Sequence, residues 1–139
     1  MSETYTQPQS LEERADHFVE ENGLVYAGKH LIIDLYGAKH LNDLALTKRV
    51  LLEAVDVTGA TLLHMHCHHF TPYGGISGVA VLAESHISLH TWPERDYAAW
   101  DIFMCGKTQP EKAVALLRAA FQPKNLTVEN HHRGQHVDT

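Results

Sequence analysis

A chain of 139 residues, 44% of them apolar, is long enough to bury one core and too short for two ordinary domains. Its 17 acidic residues outnumber 11 basic ones and no basic run occurs, which excludes the positive surface on which nucleic-acid binding rests and makes a cationic small molecule the natural partner. No apolar run approaches the ~20 residues of a membrane span and residues 1–10 carry no leader pattern, so the expected location is the cytoplasm, with Cys67 and Cys105 as free thiols.

Residues 1–27 read as an N-terminal extension, in which Ser10-Leu11-Glu12-Glu13 forms a capping box that opens a short helix running to about Asn22-Gly23. Residues 28–139 read as a single domain. Within it, Lys29 to Tyr36 is short, apolar and ended by Gly37, which predicts a buried strand. Asn42 is expected to cap a helix through about Thr58, with Leu46, Val50, Leu51, Ala54 and Val55 at helical spacing and Gly59 closing it. Thr61 to Phe70 and Ser77 to Glu84 read as paired strands joined by the loop Thr71-Pro72-Tyr73-Gly74-Gly75. His86 to Trp92 and Tyr97 to Met104 read as a second hairpin turning at Pro93-Glu94-Arg95-Asp96. Thr108 and Pro110 open a helix over about 111–121, and Leu126 to Asn130 makes a last strand. The element order mirrors itself about residues 84–85. It predicts an α+β fold: a two-layer sandwich with an antiparallel-rich sheet and helices on one face.

The densest chemistry lies in Glu84-Ser85-His86-Ile87-Ser88-Leu89-His90-Thr91-Trp92-Pro93-Glu94, followed by Asp101-Ile102-Phe103-Met104-Cys105-Gly106. Hydroxyl, imidazole, carboxylate and thiol in one short segment exceed what a core needs. The segment resembles the self-cleavage and active-site region of the short bacterial and archaeal S-adenosylmethionine decarboxylases, which make a pyruvoyl cofactor from an internal serine. The resemblance runs from about Gly28 to about Gly134.

It implies a self-processing proenzyme, a zymogen cut between Glu84 and Ser85 into a β chain, 1–84, and an α chain, 85–139. Ser85 would attack the Glu84 carbonyl and become the pyruvoyl group that takes the substrate amine as a Schiff base, an electron sink for decarboxylation. Motif matching implies that Ser77, in Gly75-Ile76-Ser77-Gly78, and His90 assist processing, and that Cys105 is the proton donor. It likewise implies that Phe70 stacks on adenine and Glu94 holds the ribose hydroxyls. The implied substrate is S-adenosylmethionine, decarboxylated for spermidine biosynthesis by a homodimer of αβ units with its active sites at the interface. Taken alone, a serine before a strand, a strand histidine, a strand-end phenylalanine and a turn glutamate are ordinary structural residues. Cys67 reads as a buried structural cysteine. The loop 72–77 is one residue longer than the tighter version of other family members.

Other readings compete. His64, His66 and His68 alternate onto one face, with His69 beside them, and could share a metal, yet no carboxylate or thiol completes an obvious set and the decarboxylation needs none. A Ser85-His90-Asp101 hydrolase lacks the Gly-x-Ser-x-Gly elbow. The same pyruvoyl chemistry on arginine or ornithine would need only pocket changes. An unprocessed, inert binding protein is the reading from another class, and the joint presence of Ser77, Ser85, His90 and Cys105 argues against it.

Overall fold

The structure, a computed structural model, describes residues 18–135. Strand Tyr97–Met104 (β7) shows the organising pattern: its burial alternates residue by residue, so Ala98, Trp100, Ile102 and Met104 enter the core while Tyr97, Ala99, Asp101 and Phe103 face the other way. Strand Ser85–Trp92 (β6) alternates in step with it, as do Gly28–Tyr36 (β3) and Ile76–Leu82 (β5). With Leu62–His69 (β4) and Asn125–Arg133 (β8) these strands form one six-stranded sheet in the order β4-β5-β6-β7-β3-β8, every neighbouring pair antiparallel.

One face of the sheet is covered by two helices, Leu44–Thr58 (α1) and Lys112–Phe121 (α2), which pack on each other. The buried stripe of α1, Val50, Leu51, Ala54 and Val55, and that of α2, Ala113, Leu117 and Phe121, close the core over Leu31, Ile33, Leu35, Ile87, Leu89, Trp100 and Ile102. The N-cap of α1 is Asp43 rather than Asn42: its carboxylate accepts from Leu46 N at 2.9 Å. Gly59 ends the helix at φ 82°, a conformation that favours glycine, with its N–H directed to the Asp56 and Val55 carbonyls. The α+β sandwich with helices on one face is what the pattern predicts. Both helices serve as crossovers, α1 from β3 to the far edge strand β4 and α2 from β7 to β8.

The N-terminal expectation needs correction. The capping box at 10–13 lies outside the described residues, and the described end of the expected helix is instead a hairpin, Val19–Glu21 (β1) paired with Leu24–Tyr26 (β2) around Asn22-Gly23. Both turn residues have positive φ, 51° and 81°, the geometry that an Asn-Gly pair adopts at low cost and that continues a hairpin rather than a helix. Tyr26 is fully buried and stacks on His132, with ring centroids 4.4 Å apart, which fastens the hairpin to the sheet.

The second face of the sheet has no layer over it among the described residues. Register fixes what stands there. One cross-strand row is His64, Val81, His86, Phe103, His30 and His131; the next is His66, Val79, Ser88, Asp101, Ile32 and Glu129. A third is His68, Ser77, His90, Ala99, Asp34 and Thr127.

Candidate active site

The β5–β6 hairpin turns through Ala83 and Glu84, with Leu82 paired to Ser85. Glu84 carries φ 56°, the left-handed region that a residue with a Cβ occupies at a cost of about 1 kcal/mol or more. The residue whose carbonyl Ser85 would attack is therefore the strained one. Ser85 itself is buried, on the helix side of the sheet.

Antiparallel pairing of β6 with β7 brings the start of one strand beside the end of the other, and so Cys105 beside Ser85. Cys105 N donates to Ser85 Oγ at 3.2 Å, and the hydroxyl and thiol lie 3.6 Å apart. The Cys105 thiol donates to the Glu84 carbonyl at 3.0 Å. The Cys105 thiol thus touches both the hydroxyl expected to attack and the carbonyl expected to be attacked, and donates to the oxygen that would become negative. Burial, the largest influence, pushes the thiol above its ordinary range and the nearby Glu84 carboxylate adds to this, against the lowering effect of the Ser85 hydrogen bond. Cys105 consequently stays protonated near neutrality, as a proton donor must. Thr108 Oγ1 donates to the Cys105 carbonyl at 2.8 Å and holds the segment after β7.

Ser77 and His90 form a second cluster. They are directly opposite each other on β5 and β6, and the Ser77 hydroxyl meets His90 Nδ1 at 2.8 Å, donating when the imidazole carries its proton on Nε2. The cluster opens onto a pocket of about 310 Å³ lined by Phe70, Thr71, Tyr73, Gly75, Ser77, His90, Thr91, Trp92 and Glu94. Phe70 and Glu94 therefore share a cavity with Ser77 and His90. Thr91 builds its floor: Oγ1 accepts from Ile76 N at 2.9 Å and donates to the Leu41 carbonyl at 2.7 Å. Gly75 allows the approach of the two strands there, since a Cβ on it would lie 2.8 Å from the Thr91 carbonyl oxygen.

The two clusters do not meet within one chain. His90 follows Ser85 by five residues on β6, roughly 17 Å along an extended strand, and the odd separation puts them on opposite faces. Sequence reasoning also passed over Tyr73 and Trp92 as pocket walls, although exposed aromatic residues beside a proposed adenine site were a legible signal. It further missed that Asp101 is engaged by two imidazoles, His30 Nε2 at 2.5 Å and His86 Nε2 at 2.9 Å, with Arg133 donating to His30 Nδ1 at 3.1 Å. That engagement removes Asp101 from any triad with His90. His64, His66 and His68 do share the open face, and among the described residues no group of three or more His, Cys, Asp or Glu side chains is placed to hold a metal. Cys67 is half-buried, its thiol packed toward Gly78, and is not bonded to Cys105.

A model of the S-adenosylmethionine decarboxylase family matches residues 29–134. The chain belongs to that family. Curated relatives agree: an S-adenosylmethionine decarboxylase proenzyme from Thermomicrobium roseum is 43% identical over 112 residues, covering 80% of this chain and 97% of the relative. One from Prochlorococcus marinus is 47% identical over 109 residues, 76% of this chain and 86% of that one, and one from Methanococcus aeolicus is 43% identical over 116 residues, 81% and 98%. The crystal structure of the adenosylmethionine decarboxylase from Aquifex aeolicus superposes with a TM-score of 0.68 at 33% identity, covering 77% of this chain and 90% of that one. Membership in the family of S-adenosylmethionine decarboxylases accounts for a sheet whose two polar clusters would be superfluous in a purely structural protein.

Proposed function

We propose that the chain is a pyruvoyl-dependent S-adenosylmethionine decarboxylase proenzyme that cuts itself between Glu84 and Ser85. The contact that carries this reading is the Cys105 thiol donating to the Glu84 carbonyl, with Ser85 Oγ beside it. Ser85 Oγ adds to the Glu84 carbonyl carbon and the Glu84–Ser85 C–N bond breaks, leaving an ester. Removal of the Ser85 α-proton expels the Glu84 carboxylate and leaves a dehydroalanine, which takes up water and releases ammonia as the ketone forms. Intramolecular attack profits from an effective concentration of about 10⁵–10⁸ M in well-oriented cases.

The residues around Ser85 fit a pyruvoyl group: the position is screened from water and faces a thiol that stays protonated. Such a group supplies an electrophilic carbonyl that condenses with a substrate amine and accepts the electron pair released with carbon dioxide. Cys105 returns a proton to the substrate α-carbon. Phe70 offers a ring face to adenine and Glu94 a carboxylate to the ribose diol, and the pocket they share is large enough for part of a nucleoside.

Ser77 and His90 act on Ser85 from a second copy. Their separation from Ser85 within one chain, together with the uncovered face that carries them, supports a homodimer of αβ units in which each site draws on both copies. Free thiols and no membrane-spanning helix among the described residues fit action in the cytoplasm. The product, decarboxylated S-adenosylmethionine, serves spermidine biosynthesis, and the catalytic domain is 28–139, on which the preceding hairpin packs through Tyr26.

Intact mass spectrometry tests the reading. Two fragments split at Glu84/Ser85, the smaller carrying a pyruvoyl end and gaining a borohydride-reduced adduct with S-adenosylmethionine, are expected, and Ser85→Ala should remain one chain. Cleavage without that adduct would redirect the search to arginine and ornithine; an uncut wild-type chain would sink the processing claim.

A further inference from the structure

Trp92 forms one wall of the pocket that holds Phe70 and Glu94, yet it stands on the uncovered face of the sheet and is 40% exposed. An indole so placed gains little orientation from the core beneath it. Its orientation comes sideways. The Trp92 ring stacks on Tyr97 with centroids 5.3 Å apart at 26°, and Tyr97 stacks on Tyr36 at 5.5 Å and 28°. These three rings are cross-strand neighbours on β6, β7 and β3, so the ladder follows directly from register.

The middle ring is tied down. Tyr97 Oη donates to Asp34 Oδ1 at 2.5 Å, reaching diagonally across to β3, where the residue directly opposite Asp34 is the small Ala99. That hydrogen bond, and burial after it, push the phenol up to about 12, so it remains a donor throughout the neutral range. Trp92 is therefore supported by a chain of contacts that ends on a carboxylate two strands away.

We propose that Tyr97, held by Asp34, is a positioning residue that fixes the Trp92 indole as a wall for the cationic adenosyl-sulfonium part of the substrate. The inference rests on the decarboxylase reading of the pocket. Its physical content is preorganisation: a wall already in its bound orientation loses less side-chain freedom when the ligand arrives, and a fixed indole face attracts a cation. The effect belongs to binding and not to the chemical step, because Tyr97 touches neither Ser85 nor Cys105.

The test measures decarboxylation of S-adenosylmethionine by the processed dimer of the wild type and of Tyr97→Phe, Tyr97→Leu, Asp34→Ala and Asp34→Asn. Losing the tether or the ladder should raise KM about threefold in Tyr97→Phe and about tenfold in Tyr97→Leu, with kcat within about twofold of wild type. Asp34→Ala should match Tyr97→Phe, and Asp34→Asn, which keeps an acceptor oxygen, should restore KM. Cleavage at Glu84/Ser85 and the dimeric state are expected unchanged in all four. An unchanged KM in both Tyr97 variants of an otherwise active enzyme overturns the proposal. A parallel fall of kcat, self-cleavage and dimer mass also overturns it, since that marks a merely structural role. Wild-type protein that is cleaved but leaves S-adenosylmethionine unchanged overturns the substrate reading and this inference with it.

Discussion

At Glu84, Ser85 and Cys105 a few tenths of an ångström decide the chemistry. The thiol donates to the Glu84 carbonyl at 3.0 Å while the backbone there holds φ 56°, so strain and polarisation act on the same peptide bond. Replacing Cys105 with alanine removes both this donor and the proposed proton source. Cys105→Ala should therefore self-cleave more slowly and, once cleaved, decarboxylate at least about 100-fold more slowly, a typical loss for a positioned acid. Gel analysis of the fragments and carbon dioxide release check the two effects separately. The pH dependence follows from the same thiol. Burial, above all, raises its titration point over the ordinary thiol range, so it remains protonated through neutrality and activity should fall only as alkaline pH strips it. The linkage has the matching sign: the unfolded thiol ionises first, so the stability tied to Cys105 is intact below pH 9 and is lost as pH climbs through the folded value. A kcat profile that bent at pH 7 would assign the donor elsewhere.

At the scale of elements, Thr91 is a motif residue whose hydroxyl ties two elements together beneath the pocket. It is buried on β6, yet its hydroxyl joins β5, through Ile76 N, to the segment after β3, through the Leu41 carbonyl. Thr91→Val keeps the shape and leaves that amide and that carbonyl without this partner. The loss should be about 1–3 kcal/mol. Urea denaturation at fixed protein concentration, in a Ser85→Ala background that keeps one chain, measures it; a midpoint equal to that of the parent would show that water replaces both bonds. Elements were also where the sequence was most legible. Strand alternation and the helical stripe on α1 are local signals, and both appear where the pattern puts them. The hairpin at Val19–Tyr26 stands where a helix end is expected because Asn22-Gly23 accepts positive φ at both turn positions, a stronger local instruction than a capping box upstream.

At the scale of the whole molecule, one sheet face is sealed by α1 and α2 and the other displays His90, Ser77, Trp92 and the Asp101 network to the outside. In the proposed homodimer each Ser85, at the turn end of β6, would draw on the partner copy for the Ser77–His90 pair that its own chain holds on the opposite face. Complementation tests this directly. Ser85→Ala and His90→Ala chains, each inactive alone, should on co-expression yield about a quarter of wild-type activity, because half of randomly paired dimers are mixed and each mixed dimer has one intact site. No recovery, with mixed dimers present, would put His90 to work in its own chain.

By itself the sequence supplied the candidate residues of the proposed reaction and the order of the elements from residue 28 onward. Glu84-Ser85, the His-Thr-Trp-Pro-Glu turn and Cys105-Gly106 are contiguous motifs, and alternation or a 3.6-residue period is written in neighbours along the chain. Only the tertiary structure decided which residues keep company. Antiparallel register set Cys105 against Ser85, put Ser77 opposite His90, gave Asp101 to His86 and His30, and stacked Trp92 on Tyr97. The physical reason is that a strand has two faces with a period of two, so a shift of one residue exchanges core for surface, and pairing between distant segments is fixed by the packing of the whole sheet.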